Sequence, residues 1–548
     1  MRDDVLVRHF LTQFVENDFS PDSDRHQILA VTAAAVITIP LFVTVFMSVK
    51  YLMHPLQASG WTETTLMGDE VTFCAASLLV SAAVALLEWD ALALNARDTA
   101  ILGVLPVARR RIVRAKLTAL VTFAAAFAVA LNAVPSLLHP LLMSAQLPMS
   151  PLMLIPLALV QGISTIAAAL FGFAAVVAIR EASFALMGPA RFHQWSNRVR
   201  SPLLFAVLLM LALVPVRLSD SAAWMFERQP PPLLEPVRWF AAAHAALAGR
   251  MLDGLPRPDM PARFAAEETR LTARYREALP RLTKDALTGA GIVLLTVICS
   301  IALYLRNARR IHLLIDGPPR LAGRSPRRRT AALGLSPGTR TGLLFAVRAL
   351  LRSSVHRVYM LVAAAGGIAL FATLGDGPIR TLTLAAQTLL VAAIVGGFRA
   401  AIRTSADYRA MWLFDVAETG SAGRFRDGVR LAGLLLAGMV VAALFPIARS
   451  QWGWTAAIGH AVNGLAIGWL LVEMAMLDVD RPMVVSIPPS DGMNTVGVVL
   501  GGTAVIAIFI AAHIERFTLV SSTGVLVYPV VVAAIALSVR RLLRSPGE

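Results

Sequence analysis

Residues 88–116 have the sequence EWDALALNARDTAILGVLPVARRRIVRAK and lie between two long apolar runs. Charged residues lie near both ends of this stretch: Glu88 and Asp90 at its start, and three consecutive arginines at 109–111 near its end. Leucine and isoleucine recur between these ends until Pro106 breaks the pattern, as in a short amphipathic helix followed by a turn. The stretch is therefore predicted to be a structured excursion between two membrane spans.

The composition of the whole chain agrees with that prediction. Hydrophobic residues make up 57% of the 548 residues and charged residues only 15%, and the mean hydropathy is +0.67. A soluble protein of this size needs far more charge on its surface, so the chain is expected to be a polytopic membrane protein.

The formal net charge is +16, and because the chain has only three lysines, nearly all of the positive charge is arginine. Arginine clusters that flank apolar runs are explained by membrane orientation and by anionic lipid headgroups. Membrane lipids are therefore expected partners, and nucleic acid is not. The two cysteines lie inside apolar runs without metal-binding spacing, which predicts no metal site.

The sequence contains twelve apolar runs, and the length of each is close to the roughly 20 residues that a membrane-spanning helix needs. These runs predict an all-α fold of two six-span halves. The first six lie at 28–49, 70–87, 115–138, 152–179, 202–216 and 286–305, and the other six at 356–374, 381–398, 430–447, 454–476, 496–512 and 518–539. A short amphipathic helix precedes each half, at 4–17 and 341–353. Both are expected to lie flat on the membrane.

The same order of elements recurs in both halves: surface helix, span, short outer loop, span, long inner loop and four further spans. The predicted divisions are a first half at 1–305 with an inner loop at 88–116 and an outer segment at 217–284, a linker at 306–340, and a second half at 341–548 with an inner loop at 399–430. Internal duplication is typical of transporters, although a duplication without a transport role stays open. The arginine-rich loops fall on one side, which predicts that both termini are cytosolic.

Polar residues inside the spans are candidates for chemistry, because an ionisable group within a membrane is a functional candidate by default. In the tenth span, His460 and Asn463 lie about one helical turn apart, and Glu473 follows nearer the cytosolic end. These three residues are the candidates for a translocation path. The alternative is helix packing, since Gly464 and Gly468 have the spacing of a close helix contact.

The chain is not expected to be an enzyme. None of its three lysines follows a glycine, so the P-loop that hydrolyses nucleotides is absent from the sequence. Any energy taken from ATP must therefore come through another protein.

The two long inner loops are candidate binding surfaces, because both hold apolar and aromatic residues framed by charges. The candidate docking residues of the first loop are Trp89, Asp90, Asp98, Leu102, Leu105 and Pro106. Those of the second loop are Asp407, Arg409, Trp412 and Phe414. An interfacial helix that rests on lipid is the alternative for both loops.

Short motifs in these loops match those of a known family. They are Trp89-Asp90-Ala91-Leu92, Arg97-Asp98, Ile101-Leu102, Leu105-Pro106-Val107 and Ala115-Lys116 in the first loop, and Tyr408-Arg409-Ala410-Met411-Trp412-Leu413-Phe414 with Glu418 in the second. In these motifs and in its layout, the chain resembles the permease subunits of ATP-binding-cassette exporters of the second type, in the bacterial subgroup with two fused six-span halves. It departs from the simplest members in its long outer segment, so the substrate class does not transfer, and its second loop lacks the Leu-Pro-Val break.

The resemblance implies an elbow helix before each half and coupling helices in the two inner loops that dock on a separate cytosolic ATPase dimer. ATP and magnesium would bind that partner and no cofactor would bind this chain. The complex would lie in the bacterial cytoplasmic (inner) membrane and move an unknown substrate. The alternative with the same layout is an ion-coupled secondary transporter, which needs a titratable group such as His460.

Overall fold

The structure is a computed structural model, and it describes most of the predicted spans. The described residues are 3–15, 40–41, 44–45, 59–94, 98, 101–102, 106–143, 151–217, 235–252, 262–308, 334–375, 380–404, 422–477, 479, 511, 514–515 and 522–542. All regular secondary structure in these ranges is helical, so the predicted all-α class is confirmed there.

The helices are numbered here in chain order. They are α1 Asp3–Val15, α2 Ser59–Leu87, α3 Arg109–Met143, α4 Pro151–Arg217, α5 Glu235–Leu252, α6 Ala262–Ala308, α7 Pro337–Arg352, α8 Ser354–Gly375, α9 Arg380–Ile402, α10 Ala422–Ala475 and α11 Ser522–Leu542. Within the described ranges, 8 stretches are long and apolar enough to cross a membrane. The chain is therefore a multi-pass membrane protein, while the predicted runs at 28–49 and 496–512 lie almost wholly outside the described residues.

Two of the long helices contain a break where the sequence predicts two spans. The helical geometry of α4 is interrupted at Gly188, with φ of 74°, and that of α10 at Gly453, with φ of 79°. Only glycine adopts such a backbone routinely, and the breaks separate the fourth from the fifth predicted span and the ninth from the tenth. Residues 180–201, between the fourth and fifth predicted spans, are helical on both sides of Gly188.

The predicted outer segment at 217–284 also differs from expectation. The end of this segment and the span predicted at 286–305 form one continuous helix, α6. The segment also contains α5, whose Phe240 and Ala241 are buried in a core with Val71 of α2 and Leu282 of α6. The small residues on one side of α5 allow this close packing between helices.

The chain divides into two compact units, unit 1 at Met1–Pro319 and unit 2 at Arg320–Glu548. The boundary falls within the predicted linker at 306–340. In unit 1, α2 packs chiefly on α4, and α5 packs on α6. In unit 2, α8 packs on α9, and α10 contacts α7, α9 and α11.

Both predicted amphipathic helices are present, and each packs on the helix that holds the third predicted span of its half. Leu6 and Phe10 of α1 are buried against Ile112 of α3. In unit 2, α7 begins four residues earlier than predicted because Ser336 caps it and Pro337 fits its first turn. Its Gly342 lies so close to α10 that an added Cβ would be 2.1 Å from the carbonyl oxygen of Phe425.

Candidate functional site

Trp89 lies at the start of the first loop and is fully buried in unit 1. It follows directly after α2, in a turn closed by a hydrogen bond of 2.8 Å from the amide of Ala91 to the carbonyl of Glu88. The indole Nε1 of Trp89 donates to Oγ of Ser196 on α4 at 2.8 Å, and its backbone carbonyl accepts from Nε of Arg180 at 2.9 Å. The start of the loop is thus bound to the two arms of α4 on either side of Gly188.

Two arginines of α4 complete this attachment. Arg200 donates to the carbonyl of Leu87 at 2.7 Å, at the C-terminal end of α2, where a cation is favourable. Arg180 pairs with the neighbouring Glu181, whose side chain also accepts from Nδ2 of Asn307 on α6 at 2.8 Å. Each of these buried charges therefore has a partner of opposite charge or a hydrogen-bonding partner, as buried charges require.

The later part of the loop is bound to α1 and α3 through a buried lysine. Lys116 of α3 donates from Nζ to Oε1 of Gln13 at 2.7 Å, and Nε2 of Gln13 donates to Oδ1 of Asp98 at 2.7 Å. The ammonium group also lies over the rings of Phe10 at 4.7 Å and Phe14 at 5.2 Å. This chain of contacts joins the N-terminal helix, the first loop and the start of α3.

The predicted docking residues of the first loop fall into two groups. Trp89, Asp98 and Leu102 are buried within unit 1, with Leu102 packed in the same cluster as Leu6 and Phe10. Asp90 and Pro106 are exposed, and so is Ile101, at 56% of its surface. The exposed side of the loop is thus formed by residues that alternate with the buried ones. Leu105, the remaining docking candidate of this loop, lies outside the described residues.

The second loop is described only at its ends. Its docking candidates Asp407, Arg409, Trp412 and Phe414 all lie outside the described residues. At its start, Arg399 donates to the carbonyls of Met474 at 3.0 Å and Ala475 at 2.9 Å, at the C-terminal end of α10. An arginine therefore caps a helix C-terminus beside this loop, as Arg200 does beside the first loop.

His460 and Asn463, predicted for a translocation path, lie together in a buried polar cluster of unit 2. Nδ1 of His460 is 2.7 Å from Oε1 of Glu515, and Nδ2 of Asn463 donates to the same oxygen at 3.0 Å. Nε2 of Gln387 on α9 donates to the backbone carbonyl of His460 at 3.1 Å. The predicted close packing is also present, because an added Cβ on Gly464 would be 2.3 Å from Nε2 of Gln387.

Glu473 lies apart from this cluster, nearer the end of α10. Its Oε2 is 3.2 Å from Nε of Arg430, and its Oε1 accepts from Nε1 of Trp469 at 3.2 Å. Arg430 also pairs with Asp427 at 2.9 Å, and Asp427 in turn accepts from Arg540 of α11 at 3.1 Å. Glu473 thus belongs to a charge network that joins both arms of α10 to α11.

A second buried polar cluster, in unit 1, was not predicted. It joins Asp69 and Glu70 of α2 to His139 of α3, Gln161 of α4 and His244 of α5. Asp69, Glu70 and His139 lie at the ends of predicted apolar runs, where charges are common, so they do not stand out as polar residues within a span. The signal available in the sequence was two adjacent acids and a histidine within one turn of those ends.

Residues 334–338, GLSPG, share the spacing of the serine motif found in some hydrolases. That motif places its serine between a strand and a helix, and the described part of unit 2 has no strand. Oγ of Ser336 instead accepts from the amide of Thr339 at 3.3 Å, which is the role of a helix cap.

Comparisons with known proteins give no identity for the chain. It matches no protein-family model, no curated protein and no solved structure. Within the described ranges, no group of three or more histidines, cysteines and acids is arranged to hold a metal ion. The geometry of the loop and of the two polar clusters is therefore the basis for a functional proposal.

Proposed function

We propose that this chain is the membrane-spanning permease of an ATP-driven exporter and that it couples a separate cytosolic ATPase dimer to movement of a substrate across or out of the membrane. The observation that carries the proposal is the attachment of the first loop. Its buried side is bound to α1, α2, α3 and α4, while Asp90, Ile101 and Pro106 face outwards.

Such a loop can transmit a displacement. A partner that moved the exposed side would also move Trp89 and Asp98, because both are held by buried hydrogen bonds. Trp89 would pass that movement to both arms of α4, and Asp98 would pass it through Gln13 and Lys116 to α1 and α3. Packed cores of this kind shift as units rather than deform, which suits a coupling element.

The packing of α7 on α10 supports the same proposal for the second half. In both units the amphipathic helix meets the third predicted span of its half, as expected if the two halves are repeats. With the two halves fused, one chain could serve an ATPase dimer without dimerising. Proteins purified gently with the chain from its native membrane should therefore include a nucleotide-binding subunit, and its absence from every preparation contradicts the proposal.

The variant Ile101→Asp tests the docking surface directly. We expect it to reduce the amount of ATPase recovered with the chain by at least about tenfold, as when a central apolar contact is lost from an interface. The change should leave the fold intact, because Ile101 is 56% exposed. Recovered ATPase is measured by quantitative mass spectrometry, and folding by size-exclusion chromatography.

Val5→Asp is the matched control, because Val5 of α1 is 49% exposed and receives the same change close to the loop. Its ATPase recovery should equal that of the unmodified chain. Equal recovery with Ile101→Asp would exclude the exposed side of the first loop as the docking surface.

A second candidate function is ion-coupled secondary transport, favoured by the bond between His460 and Glu515. Both side chains are buried, and an ionisable pair within a membrane protein is a recurrent feature of proton relays. This function would need no ATPase, so the copurification experiment separates the two candidates.

Proton uptake into liposomes that contain the chain tests this candidate. If the pair carries protons, Glu515→Gln and His460→Gln should each abolish uptake driven by an imposed voltage. Asp427→Asn, which removes a carboxylate outside the cluster, should not. Uptake that is unchanged in both cluster variants, or that does not exceed that of empty liposomes, excludes this route.

A further inference from the structure

Two adjacent acids lie buried in unit 1, near the start of the predicted span in α2 and far from the first loop. Asp69 and Glu70 are each 1% exposed. Neither belongs to the loop attachment described above, and among the described residues no arginine or lysine is paired with Glu70. Two buried carboxylates side by side repel each other and lose their hydration, so an arrangement in which both are ionised costs free energy unless cations balance them.

The partners of Asp69 and Glu70 come from three other helices. Nε2 of His139 is 3.4 Å from Oδ2 of Asp69, and its Nδ1 is 3.3 Å from Oε1 of Gln161. Sγ of Cys74 donates to Oε1 of Glu70 at 3.4 Å, and Nε2 of His244 lies 3.8 Å from Oε2. Asp69 therefore has an imidazole within ion-pair distance, whereas the groups beside Glu70 in the described part of the chain are a thiol and a more distant imidazole.

The imidazole of His244 does not supply the missing charge. Burial, together with the nearby His139, lowers the pKa of His244 to about 3, so it is neutral at physiological pH. Of the other charges on the facing helices, Arg238 of α5 pairs with Asp285 of α6 at 2.8 Å, and Lys284 is exposed. Arg281 of α6 is half-buried one turn before Asp285 and is itself engaged in an interaction.

Three polar atoms of this region have no hydrogen-bond partner among the described residues: Oε2 of Glu70, Nε2 of Gln161 and Oγ of Ser136. All three residues are more than nine-tenths buried. Buried polar atoms of this kind are usually satisfied by ordered water or by a bound ligand. The described residues hold no arrangement suited to a metal ion. A proton carried through water is a ligand that a single carboxylate oxygen without a hydrogen-bond partner can bind.

We propose that Glu70, together with Asp69 and His139, forms a proton-binding site in unit 1. A hydronium ion gives its proton to the Glu70 carboxylate, which leaves water and the neutral acid, and the reverse transfer to water restores the carboxylate. The site is separate from the His460 cluster of unit 2, and it does not rest on whether an ATPase or an ion gradient drives transport.

Infrared spectroscopy of the purified chain tests this site. In an ester-free detergent at about pH 8, where exposed carboxyl groups are ionised, the unmodified chain should show the carbonyl stretch of a protonated carboxylic acid. The band should shift in deuterium oxide, as the band of an acid does. It should be absent in Glu70→Gln, and raising the pH to about 10 should remove it reversibly.

Glu181→Gln is the matched control for this experiment. Glu181 is a buried glutamate of the same unit, 2% exposed, but it is paired with Arg180 and bonded to Asn307. Because its carboxylate already has a buried arginine and an amide as partners, its substitution should leave the band unchanged.

The result can also go against the proposal in three ways. Absence of the band in the unmodified chain at about pH 8 overturns it. A band that survives in both Glu70→Gln and Asp69→Asn assigns the proton elsewhere. A band that persists at about pH 10 indicates a fixed structural proton rather than a site that loads and unloads. The spectrum of the unmodified chain decides the first and third outcomes even where a variant fails to fold.

Discussion

Replacing Trp89 by alanine is expected to lower the free energy of unfolding of unit 1 by about 3–5 kcal/mol, the usual cost of removing a buried aromatic side chain. Trp89 is fully buried and bonds through its indole to Ser196. The substitution leaves a cavity between the end of α2 and the two arms of α4. It should lower the apparent melting temperature of the detergent-solubilised chain, measured by the loss of monodisperse protein on size-exclusion chromatography after heating.

Two milder variants separate the packing of Trp89 from its hydrogen bond. Trp89→Phe keeps most of the ring and loses the bond to Ser196, so it should cost about 1–3 kcal/mol. Ser196→Ala leaves the indole donor without that acceptor and should cost a similar amount. A Trp89→Ala protein as stable as the unmodified chain would show that the residue does not hold the loop, and the proposed transmission through α4 would then fail.

The position of Trp89 also shows where the sequence ceases to be informative. Apolar and aromatic residues between charges predicted a binding surface at 88–116, and in the described residues of that loop Trp89, Asp98 and Leu102 are buried within unit 1. The pattern could not distinguish residues that face a partner from residues that face the chain's own helices. Ser196 lies 107 positions from Trp89, so the interaction that turns the indole inwards has no local signature.

The polar clusters show the same limit. Hydropathy predicted most of the described spans because about 20 consecutive apolar residues are a local property. The partner of Asp69 is His139, 70 positions away, and the partner of His460 is Glu515, 55 positions away. His460 and Asn463 were identified as candidate site residues because they interrupt an apolar run. Asp69 and Glu70 lie at the end of such a run, where charged residues are common and give no such signal.

Replacing Arg430 by methionine is expected to destabilise unit 2 by about 3–5 kcal/mol, because it leaves a buried carboxylate without its cation. Glu473 is 1% exposed, and Arg430 is its cationic partner at 3.2 Å. The hydrogen bond from Trp469 cannot neutralise the charge that remains. The loss is measured as the shift in the denaturant-unfolding midpoint of the chain in detergent, followed by circular dichroism.

The double variant Arg430→Met with Glu473→Leu decides what Glu473 does. Apolar side chains of similar volume can replace a buried ion pair without loss, so the double variant should be within about 1 kcal/mol of the unmodified chain or more stable. A cost of less than about 1 kcal/mol for Arg430→Met alone would mean that the pair is not effectively buried. If the double variant is stable and still supports transport, Glu473 is a packing residue. If it is stable but inactive, the carboxylate has a role in the translocation path, because the loss of function cannot then be attributed to loss of fold.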